Sequence, residues 1–330
     1  MPADGGAAAA QQQPKEEEER PVFDPRDVQI QSRASYGPGF GPVATSRAVH
    51  HPEQDPSSNS LADFLHAKDS ALVTEEVTRT LTYQPVTVAG FDLKLEPLSP
   101  SIGTVIHGCD LTAVPNTPEL VDFLRLLWLD RRVICFRSEH VMSREEHANF
   151  VRCFGEVGGV FGEIGAGNDP PEADGFARFH AKTVRGAGAA SNWHSDASWA
   201  PRPPMGSVLL CRTPAPTGGD TLFCDSYACW AALPPATRQR LSQLTATHAS
   251  FFAGPDDKDT VSVHPCARTH PETGGTALWV TPFSLGGFTT EIHADDEEEA
   301  NELMRQCEKV TGRAEYTCRF RWEEGSVAMW

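Results

Sequence analysis

The sequence predicts a mainly β fold with helices at its margin, a sandwich or barrel and not a doubly wound parallel sheet. Two observations predict it. The second half of the chain runs through short apolar stretches, "GSVLLCRT", "DTLFCD", "TALWVT" and "YTCRFRW", separated by Pro/Gly turns. Helix-period patterns in that half are confined to "SYACWAALPPATRQRLSQL" and "DDEEEANELMRQCEKV". Strands in such excess, with helices between them only occasionally, suit a closed or double-layered β architecture.

Taken in order, residues 1–85 are expected to be a low-complexity, largely disordered extension. Ala, Gln, Glu, Pro, Gly and Ser dominate its first sixty residues, and large apolar side chains are too few to offset chain entropy. Glu16 to Glu19 reads as a solvated charge run, and "LADFLHAKDSALVTEEVTRTL" has the apolar spacing of a short helix. The folded unit is expected over 86–330. It opens on "VTVAGFDLKLEPL", Val86 to Leu98, whose alternation predicts a half-buried strand that "TVIHGCDLT" continues. "TPELVDFLRLLWLD" starts on Thr-Pro and is a helix, "RVICFR" a buried strand, and "MSREEHANFVRCFGEV" a helix with Ser143 as N-cap and Glu146 three residues on. Residues 159–192 read as a long glycine-rich loop with one strand near "ARFHAKTV".

The formal net charge is −17, from 28 Lys+Arg against 45 Asp+Glu, and no basic cluster interleaves with aromatics. Nucleic acid and anionic membrane are therefore not expected as partners. Nine cysteines without any C-x-x-C pair argue for reduced thiols, hence a cytoplasmic setting. No stretch has the 18 or so apolar residues of a membrane span, and the N-terminus lacks the basic and apolar regions of a secretory signal.

The chemistry concentrates in "SNWHSDASWAP", Ser191 to Pro201. In an extended segment residues i and i+2 share a side, so His194 and Asp196 can converge on one ion while Ser195 faces away. An imidazole and a carboxylate supply two faces of a 2-His-1-carboxylate triad, the donor set of non-haem Fe(II). Taken alone, the pair reads more simply as an aspartate orienting a histidine.

The neighbourhood decides between them. Trp193-His194-Ser195-Asp196, Pro203-Pro204 and Thr217-Gly218-Gly219-Asp220-Thr221 follow one another in "WHSDASWAPRPPMGSVLLCRTPAPTGGDTLFCD". Their order and spacing resemble the TauD/TfdA branch of the Fe(II)/2-oxoglutarate-dependent dioxygenases. Four further blocks agree: "LSPSIGTVIHGCDLT", "VICFRSEHVMSREEHANFVRCFGEV", "HPCARTHPETGGTALWV" and "GFTTEI". The resemblance covers about residues 93–330. It implies a double-stranded β-helix, or jelly roll, with His194 and Asp196 as iron ligands and Thr221 holding a carboxylate of 2-oxoglutarate. Gly218 and Gly219 let the chain turn tightly before the strand that carries Thr221. The activity implied is oxidation of a small organic substrate by dioxygen, with release of succinate and CO2.

His264 and His270 are expected to be structural, and Arg268 to make either a charged hydrogen bond near the pocket or a salt bridge. In the family the second iron histidine and an arginine for 2-oxoglutarate follow the block that ends here at Trp330. The expectation is therefore a jelly roll incomplete at its C-terminus, two of three ligands, an inactive fragment and an open sheet edge. His293 is a candidate for a borrowed ligand. Val160, Phe161 and Glu163 stand where taurine-type members place sulfonate-binding residues, so an apolar or acidic lining is expected and taurine is disfavoured. The rival expectation is a non-catalytic jelly roll serving as a binding or interaction module. Self-association into a homo-oligomer is compatible with either.

Overall fold

The computed structural model describes residues 85–157, 193–250, 261–281 and 288–330. The extension up to residue 84, the helix expected near 61–81, the strand expected at 177–184, and Val160, Phe161 and Glu163 lie outside the described residues.

The stretch predicted as one strand from Val86 to Leu98 is a hairpin. Strands β1 (Pro85–Val88) and β2 (Phe91–Pro97) pair antiparallel with Val88 opposite Phe91. Ala89 (φ 49°) and Gly90 (φ 86°) make the two-residue connection in left-handed backbone, which lets the strands keep their twist across a tight turn. The apolar alternation passes through that turn without a break, which is why pattern alone merged the two strands.

Beyond β2 the sheet continues antiparallel to β3 (Thr104–His107), and β3 pairs in parallel with β4 (Ile134–Phe136). Parallel neighbours need a crossover, and helix α1 (Pro118–Arg131) provides it. Helix α2 (Arg144–Arg152) has the predicted capping box: Ser143 Oγ accepts from the Glu146 amide at 3.2 Å, and Glu146 Oε2 accepts from the Ser143 amide at 2.7 Å. Two later strands, β5 (Val208–Leu210) and β13 (Val327–Met329), complete a six-stranded sheet in the order β1-β2-β3-β4-β13-β5.

Side chains alternate across this sheet. Ile106, Ile134, Phe136, Val327 and Met329 join Leu120, Phe123 and Phe150 of α1 and α2 in one core. Val105, Cys135 and Ala328 point the other way, onto Phe223 and Phe320. These belong to β6 (Thr221–Cys224) and β12 (Thr317–Phe320), an antiparallel pair facing the large sheet. Burial on both faces accounts for the unbroken apolar run in "RVICFR".

The helical segment predicted from Ser226 to Leu244 is two helices, α3 (Ser226–Ala232) and α4 (Pro235–Leu241). Pro234 pushes Leu233 out of helical space (ψ 146°), and Pro235 then occupies the first turn of α4, where no amide is needed. Strands β7 (Thr245–Ser250) and β11 (Phe288–Ile292) were not anticipated. They pair with each other, and β7 also pairs with β8 (Val261–Pro265). A further ladder joins β9 (Ala267–Thr269) and β10 (Thr276–Leu278). Helix α5 (Glu297–Val310) packs Leu303, Cys307 and Val310 on this second core, and its N-cap Asp296 accepts from the Glu299 amide at 2.8 Å. Among the described residues no helix is long and apolar enough to cross a membrane.

Candidate active site

The Trp193–Ser195 segment is coil and Asp196–Trp199 is a turn, so Asp196 sits in a turn and not in the extended segment expected. Ala197 takes left-handed backbone (φ 49°), and the turn closes through Ala200 N to Ala197 O at 2.9 Å. A non-glycine residue there is strained and persists because neighbouring contacts over-determine it. The pair nevertheless converges: His194 Nε2 lies 3.3 Å from Asp196 Oδ1, with 26% of the imidazole and 19% of the carboxylate exposed.

The second carboxylate oxygen is fixed from two sides. Ser207 Oγ donates to Asp196 Oδ2 at 2.6 Å, and Trp330 Nε1 donates to the same oxygen at 3.1 Å. Ser207 and Trp330 face each other one step beyond the β5–β13 ladder, exchanging backbone hydrogen bonds of 2.8 and 3.0 Å. A directly opposed antiparallel pair sends both side chains to one face, which is why they reach a common oxygen. Burial pushes the Asp196 carboxyl upward, but the bonds from His194, Ser207 and Trp330 and the charge of His194 together hold it below the ordinary value.

The rest of the loop is seated by residues far away in sequence. A side chain at Gly312, just past α5, would collide with the Trp193 indole, so glycine there makes the seat for that ring. His264 Nε2 donates to the Ala200 carbonyl at 3.1 Å, tying β8 to the turn, and burial lowers its basicity. His264 is thus structural, as expected. So is His270, whose Nδ1 accepts from the Glu272 and Thr273 amides at 3.2 and 3.3 Å. Arg268 lies over the Trp279 ring at 4.7 Å, a contact that neither alternative for it had included.

Thr221 opens β6 after Gly218 (φ 69°) and Gly219 (φ 74°), the tight turn the glycine pair predicted. Its Oγ1 accepts from Trp322 Nε1 at 2.9 Å, so its own O–H is left to donate elsewhere. Thr221 shares a strand face with Phe223, whose ring sits 5.4 Å from that of Trp330. The threonine face and the Asp196 cradle are thereby joined through one indole.

His293 does not join the pair. Its ring nitrogens meet Thr245 Oγ1 at 3.0 Å and Thr247 Oγ1 at 2.7 Å, across β7. Among the described residues no group of three or more His, Cys, Asp or Glu side chains is placed to hold a metal ion. His194 and Asp196 themselves fit one: atoms at about 2.1 Å from an ion and at right angles lie about 3.0 Å apart, close to the 3.3 Å seen. The aspartate also has one oxygen tied back by outer donors and one facing the imidazole, as a monodentate ligand requires. Sequence reasoning missed Ser207, Trp322 and Trp330, since a serine and two tryptophans at those spacings carry no ligand pattern.

The family model for taurine catabolism dioxygenase TauD, TfdA family, matches residues 94–330. The chain belongs to this family. A crystal structure of a taurine dioxygenase from Burkholderia xenovorans superposes with a TM-score of 0.57 and 31% identity, covering 72% of this chain and 79% of that one. A Schizosaccharomyces pombe protein assigned as an alpha-ketoglutarate-dependent sulfonate dioxygenase is 27% identical over 72% of this chain, which spans 62% of that protein's length. The alpha-ketoglutarate-dependent 2,4-dichlorophenoxyacetate dioxygenase of Cupriavidus pinatubonensis is 26% identical over 71% of this chain and 87% of its own.

Proposed function

We propose that the chain carries a non-haem Fe(II)- and 2-oxoglutarate-dependent oxidation of a small organic molecule, with succinate and CO2 released. The observation behind this reading is the His194–Asp196 pair at 3.3 Å, with the far oxygen of Asp196 held by Ser207 and Trp330. His194 and Asp196 would hold the iron, which supplies the oxidising chemistry with its co-substrate and dioxygen. Ser207 and Trp330 keep Asp196 anionic and aimed, and Thr221, oriented by Trp322, would offer its hydroxyl hydrogen to a carboxylate of 2-oxoglutarate. The setting is a reducing one, the cytoplasm, because all nine cysteines are free thiols.

The second reading is a non-catalytic binding module. It draws on the lack of a third ligating side chain beside the pair among the described residues, which by themselves would hold iron weakly.

Anaerobic titration of the chain with Fe(II) and 2-oxoglutarate separates the two. A visible charge-transfer band that is absent from His194→Ala supports the dioxygenase reading, and substrate-dependent succinate formation should vanish in the same variant. If no band forms and neither component binds, the binding module stands. Unchanged turnover in His194→Ala would refute the site.

A further inference from the structure

We propose that Cys224 and Cys229 are a peroxide-responsive dithiol whose closure to a disulfide loosens the seat of Trp193, the residue preceding His194. Their Sγ atoms lie 3.5 Å apart, Cys224 half-buried at the end of β6 and Cys229 buried in the first turn of α3. Both ends of that short span are fixed. Asp225, between them, caps α3 by accepting from the Tyr227 and Ala228 amides at 3.0 and 3.2 Å, and pairs with Arg132 at 3.4 Å. The sulfurs are therefore held near each other by backbone that other contacts define.

The pair also has an asymmetry suited to thiol chemistry. Cys224 Sγ receives the Gly312 amide at 3.4 Å and faces the Cys229 thiol. Hydrogen bonding from Cys229, and then from Gly312, lowers the Cys224 pKa against the opposing effect of burial. Each of the other eight thiols is raised, with Cys109, Cys266, Cys307 and Cys318 pushed up by burial to about 12. Of the pair, Cys224 is the one that receives a backbone amide and is only half-buried, which places it to react first.

The oxidant class is hydrogen peroxide. The Cys224 thiolate attacks one peroxide oxygen, the O–O bond breaks, and the departing hydroxide takes a proton to become water, leaving a sulfenic acid. Cys229 then loses its proton and attacks Cys224 Sγ, the S–O bond breaks, and a second water leaves as the S–S bond forms. Two thiols lose two hydrogens and one peroxide becomes two waters.

Closure must shorten the 3.5 Å separation to about 2.05 Å. Cys224 Sγ cannot take part in that movement without altering its 3.4 Å contact with the Gly312 amide. Gly312 (φ 78°) is the position over which the Trp193 indole rests. The redox state of the pair is thereby connected through one glycine to the residue beside His194.

The test uses the full chain with hydrogen peroxide, thiol blocking and non-reducing peptide mapping. A linked Cys224–Cys229 peptide, lighter by two hydrogens and restored to free thiols by dithiothreitol, is the expected result. Cys229→Ser should leave a Cys224 sulfenic acid trapped by a cyclic dicarbonyl probe, and Cys224→Ser should give neither product. Oxidation of Cys153 or Cys211 with both Cys224 and Cys229 still reduced overturns the proposal, as does sulfinic acid at Cys224 beside an untouched Cys229. For the coupling, oxidation should change tryptophan emission in the parent chain and not in Trp193→Phe; no change in the parent refutes it. None of these readouts involves iron, so their outcome is independent of the dioxygenase reading.

Discussion

Mild acid should destabilise this fold through its buried histidines. His248 is 2% exposed on β7, its ring 5.3 Å from that of His264 and 6.2 Å from that of Trp279. Burial, and then the nearby charge of His264, lowers its pKa from 6.5 to about 4. His147, 7% exposed on α2, is lowered to about 4 by burial and the Arg212 charge. A folded pKa below the unfolded one means that between pH 6.5 and 4 the unfolded chain binds more protons. Stability is therefore full above pH 6.5, falls as pH drops through that window, and levels off below pH 4. At pH 5 the unfolded imidazole is almost wholly protonated and the folded one almost wholly neutral, so each histidine forfeits about 2 kcal/mol, and the pair about 4 kcal/mol. His264 and His270 are shifted in the same direction by burial and add to the loss. Glu146 and Glu299, lowered from 4.5 to about 2 by hydrogen bonds, lose their contribution mainly below pH 4.5, under the pH 5 at which the loss is read. Urea unfolding at pH 7, 6 and 5 measures the effect, and His248→Phe, which keeps a ring against Trp279, should remove about half of the two-residue loss. Stability independent of pH from 6.5 to 4.5, or a His248→Phe variant as acid-sensitive as the parent, would refute the reasoning.

Other substitutions test the seat of the site. A methyl at Gly206 would meet the Trp330 carbonyl oxygen at 2.6 Å as well as the Trp128 ring, so Gly206→Ala should lower the unfolding free energy by about 2 kcal/mol, as overpacking against backbone does; a midpoint equal to the parent's would count against the packing. Ser207→Ala removes the 2.6 Å bond to Asp196 and should weaken Fe(II) affinity roughly tenfold, the usual scale for losing an outer-shell partner, read by anaerobic titration with the fold checked by circular dichroism. Gly312→Ala combines φ 78° with a collision at Trp193, so it should cost about 1–2 kcal/mol for the left-handed alanine alone and change tryptophan emission; thermal unfolding and fluorescence report the two effects separately.

The His194–Asp196 pair was legible in the sequence because its signal is local: the two are two residues apart and sit in an ordered string of motifs. The capping box at Ser143 and Glu146 and the glycine turn before Thr221 were legible for the same reason. The β1–β2 hairpin was not, because Ala-Gly interrupts the backbone without interrupting the apolar alternation. The break between α3 and α4 had its Pro-Pro signal in plain view, and the apolar period on either side masked it.

By itself the sequence determined the β-rich class, the helix with the Ser143 capping box, and the closeness of His194 to Asp196. Each of these depends on residues within a few positions of one another, where backbone geometry follows directly from residue type. What holds Asp196 was decided only in three dimensions. Ser207 and Trp330 reach one oxygen because β5 and β13 pair across more than a hundred residues of chain. The same holds for Trp193 on Gly312, for His264 under Ala200, and for Trp322 at Thr221. Pairings at such separation are fixed by which apolar faces must be buried together, and no window along the sequence contains both partners.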